Sequence, residues 1–307
     1  MSREEKYRGI FPAFYACYDE EGKIDTDRVR AFTRHLIKKG VTGLYVGGSS
    51  GECIYQSVED RKMLLEAVME EAKGKIVIIA HVACNNTSDS MELARHADSL
   101  GVDAIASIPP IYFHLPDYAI AKYWNDISAS APHCDFIIYN IPQLAGVALS
   151  LPLLREMLKN ERVIGVKNSS MPTEDIIRFK AEGKMNGREF VVFNGPDEQL
   201  TAGLAIGADG GIGGTYSVMP ELYLAIYDAV KKGNLERARA IQNDANNIIY
   251  TLCSAKGNLY ATMKQVLKMR EGLELGNVRA PLYPYTEEDA HVVEKCSALI
   301  DEAIARL

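Results

Sequence analysis

No apolar run in this sequence approaches the length of a membrane span, and its first eleven residues, MSREEKYRGIF, are charged with no apolar leader core. A span needs about 20 apolar residues and a secretory leader needs an apolar centre, so the expectation is a cytoplasmic chain with no membrane partner. Cysteine is sparse and dispersed at Cys17, Cys53, Cys84, Cys134, Cys253 and Cys296, with no CxxC pair. That argues against a disulfide framework and a structural zinc site. The six histidines are equally scattered, and only His81 and His114 fall near expected strand ends, on different strands. Metal-assisted chemistry needs clustered donors, so no metal and no cofactor is expected. Positive charge is in deficit, with 34 Lys and Arg against 41 Asp and Glu, a net charge of -7 and pI near 5.5. A nucleic-acid partner would want a basic face. The first βα turn also lacks G-x-G-x-x-G, which disfavours a dinucleotide-binding sheet.

What is present is a regular alternation across 307 residues. Short apolar runs at Gly9–Ala16, Gly43–Gly48, Ile76–Val82, Ala104–Ile108, Phe136–Ile141, Val163–Asn168, Glu189–Gly195 and Gly210–Thr215 each precede an amphipathic segment. Helix signals punctuate the series, among them a Ser57-x-x-Asp60 capping box and a stop at Gly101. Eight strand-then-helix units of about 30 residues imply a parallel sheet, and their number and size are those of a (β/α)8 TIM barrel. A doubly wound open sheet is the alternative. After Gly233 the strands stop. Residues 1–233 therefore read as the barrel and 234–307 as a helical extension packed on it.

The stretch VIGVKNSS, Val163–Ser170, stands out. Its length and β-branched residues read as a strand buried on both faces. Strict alternation puts Val163, Gly165 and Lys167 on one face and Ile164 and Val166 on the other. A lysine at the end of such a strand is either a desolvated nucleophile with a lowered pKa or a side chain that snorkels to water.

In a barrel the chemistry lies at the C-terminal strand ends. Strand 2 ends in GGSSGE, where Ser49 and Ser50 read as a nest for a carboxylate or as a plain glycine turn. Strand 5 ends in YNIP, and Tyr139 shares a face with Ile137 beside the Lys167 strand. It is either a structural tyrosine or a proton shuttle whose pKa a nearby ammonium pulls down. Strand 7 ends in FNGPDE. One of Asp197 and Glu198 reads as a helix cap and the other as a ligand contact. The strand 8 glycine loop, Gly207–Gly214, carries no lysine or arginine, so it suits a neutral ligand as well as a phosphate. Together these point to Schiff-base chemistry on a 2-oxo acid.

The motifs GLYVGGSSGE, YNIP, GVKNSS, FNGPDE and GADGGIGGTY resemble the family of pyruvate-dependent class I aldolases that contains N-acetylneuraminate lyase and dihydrodipicolinate synthase. The resemblance spans essentially the whole chain. It implies reversible cleavage of N-acetylneuraminate, a sialic acid, to pyruvate and N-acetylmannosamine, through an imine on Lys167. It implies that Tyr139 takes the C4 hydroxyl proton, with Ser49 and Tyr112 completing the catalytic set and Tyr112 lent across a dimer interface. It further implies that Ser49 and Ser50 hold the carboxylate, that Ser169, Gly195, Asp197 and Glu198 line the sugar tail, and that the assembly is a homotetramer. Three positions depart from the family pattern. Leu144 stands where the synthase has an arginine for a dicarboxylate-forming substrate, which disfavours that condensation. Gly214 replaces a serine, removing one hydroxyl contact to substrate. Ala16-Cys17-Tyr18 replaces a T-P-F. A lyase or dehydratase acting on another keto-deoxy sugar acid is the second enzyme reading. A non-catalytic 2-oxo acid sensor is the third, and the Lys167–Tyr139 pair argues against it.

Overall fold

The computed structural model describes residues 2–307. Eight strands run β1 (Gly9–Pro12), β2 (Gly43–Val46), β3 (Val77–His81), β4 (Ala104–Ser107), β5 (Asp135–Asn140), β6 (Val163–Asn168), β7 (Val191–Asn194) and β8 (Gly210–Gly213). Each is followed by a helix: α1 (Thr26–Lys38), α2 (Val58–Ala72), α3 (Thr87–Leu100), α4 (Asp117–Ser130), α5 (Leu151–Met157), α6 (Glu174–Gly183), α7 (Leu200–Ala205) and α8 (Pro220–Lys231). Neighbouring strands pair in parallel in the order β1-β8-β7-β6-β5-β4-β3-β2. The remaining seam, between β1 and β2, closes through the Ala13–Tyr45 bridge and bonds from Thr42 N to Ile10 O (3.0 Å) and from Phe14 N to Tyr45 O (2.9 Å). The result is a TIM barrel. Three helices follow it: α9 (Leu235–Leu252), which packs on α7 and α8, then α10 (Leu259–Glu271) and α11 (Ala290–Ala305).

Local signals fix many of the boundaries. Ser57 and Asp60 form the reciprocal capping box that starts α2. Gly101, at φ +79°, ends α3 in the left-handed conformation that costs a residue without Cβ little. Strands 1, 7 and 8 are shorter than their apolar runs. β1 stops at Pro12, β7 starts at Val191, and β8 ends at Gly213 because Thr215 opens a 3-10 turn.

The side chains form two cores. A small inner one fills the barrel with Phe11, Tyr45, Ile79, Ala106, Ile137, Ile164, Phe193 and Ile212, and a large outer one lies between the strands and the helices. The strict alternation expected of β6 fails at Ile164. Phe136 pairs with Val163, but Ile137 pairs with Gly165. This bulge leaves Ile164 without a partner on β5 and turns it into the barrel, while Val163 and Val166 both face outward. Lys167 still ends up inside.

Candidate active site

Lys167 is 4% exposed near the end of β6. It sits in register with Tyr139 on β5. Its Nζ lies 3.9 Å from the Tyr139 ring centroid and 4.1 Å from that of Tyr45 on β2. Two effects compete on the amine. The aromatic faces favour the ammonium by about 1–2 kcal/mol. Burial favours the neutral amine and wins: the pKa falls from 10.5 to about 7, with the charge of Asp197 only partly opposing it. A shift of that size corresponds to roughly 5 kcal/mol. A substantial fraction of the amine is therefore unprotonated at neutral pH, the form a nucleophile needs.

Tyr139 corrects one expectation. Its phenol is not pulled down by the lysine. Burial pushes it up to about 12, and the Ser49 and Ser169 hydroxyls beside it only partly offset that. In the free protein Tyr139 therefore holds its proton. Its ring meets those of Tyr45 and His81 edge-on, at 5.7 Å and 6.0 Å between centroids. His81 Nδ1 lies 2.9 Å from Gly47 O, and burial keeps the ring neutral. A carbonyl only accepts, so the proton is on Nδ1.

The barrel mouth is a cavity of about 340 Å³ that brings together Ser49, Ser50, Tyr139, Lys167, Ser169, Gly195, Asp197, Glu198 and Gly214. Ser49 and Ser50 lie in a 3-10 turn directly after Gly48. Ser169 N donates to Asn140 O, and Gly195 N to Asn168 O, each at 2.7 Å, so these segments continue the strand pairing into the mouth. Gly195 packs so tightly on Ser169 that a Cβ there would overlap the hydroxyl.

The acidic pair after β7 also differs from expectation, because neither residue caps a helix. The turn Asp197–Gln199 and α7 both start without a side-chain cap. Asp197 is buried and accepts from Thr215 N (2.7 Å) and Thr215 Oγ1 (2.6 Å). Burial raises its carboxyl to about 6, against the pull of those bonds. Glu198 is exposed on the cavity wall. Gln242 of α9 donates to Asp197 O at 3.0 Å, so the tail helps to hold this turn.

One expected participant lies elsewhere in the single chain. Tyr112 is 86% exposed on the loop after β4, at φ +84°, and lines a separate surface cavity with Phe113 and Tyr118. His114 lies on the same exposed loop. Among the described residues, no three His, Cys, Asp or Glu side chains form a group that would hold a metal.

The sequence reading missed Tyr45, Thr215 and Tyr260. Tyr45 was available, since alternation from Gly47 turns it inward beside Lys167. Tyr260 belongs to α10, outside the barrel repeat, and no local signal ties it to Ser50, whose Oγ donates to its hydroxyl at 3.2 Å.

Residues 6–299 match the dihydrodipicolinate synthetase family. The chain is 61% identical over 303 residues to the N-acetylneuraminate lyase of Mediterraneibacter gnavus, covering 99% of this chain and 95% of that protein. It is 34% identical over 281 residues to the N-acetylneuraminate lyase of Escherichia coli, covering 92% and 93% of the two chains. The structure superposes on wild-type sialic acid aldolase from Ruminococcus gnavus with a TM-score of 0.96 at 60% identity, over 98% and 99% of the two chains.

Proposed function

The chain belongs to the dihydrodipicolinate synthetase family, and from that premise we propose that it is a class I aldolase cleaving N-acetylneuraminate reversibly to pyruvate and N-acetylmannosamine. The observation that carries the reading is Lys167, a buried amine with its pKa near 7 at a strand end, facing the cavity that Ser49, Ser50 and Asp197 line.

The site's protonation states suit the steps. Neutral Lys167 adds to the C2 ketone of the open-chain sugar, and one amine proton passes to the former carbonyl oxygen. Tyr139 gives its proton to that hydroxyl, which leaves as water, so an iminium and a phenolate form together. The phenolate then takes the C4 hydroxyl proton. The C3–C4 bond breaks, its electrons neutralise the iminium as an enamine, and the aldehyde departs. Tyr139 returns the proton to C3. Water then hydrolyses the renewed iminium to pyruvate, the proton released returns to the Tyr139 phenolate, and the neutral amine is restored. A phenol with its pKa near 12 serves this sequence, because its first task is to donate.

Ser49 and Ser50 hold the carboxylate in this reading, Ser49 also lying on the Tyr139 phenol. Ser169, Gly195, Asp197, Glu198 and Gly214 line the sugar tail. No cofactor is required, because the lysine imine is itself the electron sink. Residues 1–233 carry the chemistry, and the extension 234–307 closes the site. A homotetramer in which Tyr112 reaches a neighbouring copy belongs to the same reading, supported by that residue's exposure. So does a cytoplasmic location, supported by six cysteines of which none is paired.

Borohydride reduction in the presence of pyruvate, followed by peptide mass mapping, tests the chemistry. An adduct on Lys167 is expected, and an adduct elsewhere or none at all overturns it. Pyruvate release from N-acetylneuraminate, set against a panel of keto-deoxy sugar acids, tests the substrate. Faster turnover of a panel member would displace N-acetylneuraminate.

A further inference from the structure

The Ser50–Tyr260 contact has a proton problem. Ser50 Oγ donates to the Tyr260 hydroxyl at 3.2 Å, and a serine hydroxyl has one proton. A Ser50 that holds a substrate carboxylate must spend that proton on the carboxylate instead, since a charged acceptor outcompetes a neutral one. Tyr260 has a proton of its own and lines the same cavity. On carboxylate binding the bond can therefore reverse, with Tyr260 donating to Ser50 and Ser50 to the ligand.

Gly214 lies at the same point. A Cβ on Gly214 would stand 3.1 Å from Ser50 Oγ and 3.8 Å from the Tyr260 hydroxyl. The space where a serine hydroxyl would contribute is therefore adjoined by the Tyr260 phenol. The backbone on either side of that contact is well anchored. Tyr15 donates to Gly214 O at 2.5 Å and packs its ring 5.9 Å from that of Tyr260. Asn258 caps α10 by accepting from Tyr260 N at 3.0 Å.

Resting on the aldolase reading above, we propose that Tyr260 of the helical extension is a substrate-binding residue, whose hydroxyl donates to Ser50 so that Ser50 can hold the 2-oxo acid carboxylate.

The test is the pyruvate concentration that half-saturates borohydride trapping, read together with kcat and KM for N-acetylneuraminate. Tyr260→Phe keeps the ring and removes the proton. The trapping midpoint and KM are expected to rise roughly tenfold, as for loss of a hydrogen bond serving a charged group, with kcat within about twofold and the melting temperature unchanged. Adding Gly214→Ser to Tyr260→Phe restores a hydroxyl at the same point and should recover most of the midpoint, which a packing role would not allow. An unchanged midpoint in Tyr260→Phe overturns the proposal. So does a fall in melting temperature and kcat with KM unmoved, which would make Tyr260 a packing residue. A double variant that recovers none of the midpoint lost in Tyr260→Phe also overturns it. If the unaltered enzyme forms no pyruvate adduct, the aldolase reading itself has failed.

Discussion

Glu52 and Lys264 meet at 3.0 Å with no exposed side-chain surface on either, although 212 residues separate them. Glu52 follows Ser50 by two residues and holds a left-handed backbone at φ +59°. Lys264 is one helical turn beyond Tyr260. The pair thus ties the serine turn of β2 to the tail helix that reaches the cavity. Each member has a further partner: Glu52 accepts from Arg279 N at 2.8 Å, and Lys264 donates to Asn277 O at 2.7 Å.

Breaking such a pair from one side strands a buried charge. Lys264→Met is expected to lose about 3–5 kcal/mol in urea denaturation at pH 7, and the double variant Glu52→Gln, Lys264→Met to recover much of that. A double variant no more stable than Lys264→Met would show that the pair's worth is not charge compensation.

The depressed lysine makes a pH prediction in two parts. Only neutral Lys167 attacks, so the rate of pyruvate trapping should climb as pH rises through about 7 and then level off. Stability follows the same proton. Between pH 7 and 10.5 the unfolded chain binds a proton at this lysine that the folded chain does not, so folding strengthens with pH across that window. Below 7 both states are protonated and the full burial penalty applies. Lys167→Met should therefore stabilise the fold at pH 6 by up to about 5 kcal/mol, with the gain fading towards pH 10. A gain that does not vary with pH would mean that burial does not depress this amine.

The sequence shows this barrel because a strand-then-helix unit repeats eight times, with several of the helices marked by a cap or a glycine stop. The inward set at the strand ends, Lys167 and Tyr139 with the serines of β2, follows from alternation and strand adjacency. Where alternation breaks, the reading breaks with it. Nothing in VIGVKNSS announces the bulge that turns Ile164 inward, since it arises from pairing with Phe136 and Ile137. One of Asp197 and Glu198 looks like a cap because capping is judged from neighbours in sequence. The group that holds Asp197 is Thr215, eighteen residues on. Tyr260 is invisible for the same reason, because its partner lies 210 residues away.

Asp197 depends on a glycine. A Cβ on Gly213 would fall on Asp197 Oδ1 and on the Tyr216 ring. Gly213→Ala should displace the carboxylate from its bonds to Thr215 and raise KM for N-acetylneuraminate roughly tenfold, at an overpacking cost of about 1–3 kcal/mol. Pyruvate lacks the sugar tail, so its trapping midpoint should move by no more than about twofold. Equal losses for both ligands would remove Asp197 from the tail-binding role.

Tyr139→Phe separates the two tasks assigned to the phenol. The ring stays, so the aromatic faces around Lys167 Nζ at 3.9 Å and 4.1 Å are kept and the amine should titrate near its original pH. The proton that expels water and the oxygen that receives the C4 proton are both lost. Retro-aldol turnover should fall by about 10²–10⁴, the usual worth of a positioned acid or base. Trapping with pyruvate should still label Lys167, more slowly, because water can protonate the leaving hydroxyl while the phenolate assigned to the C4 proton is gone. The decisive measurement is single-turnover cleavage beside the trapping rate in the same preparation. Loss of both in equal proportion would assign Tyr139 to imine formation alone, and wild-type cleavage would strip it of either task.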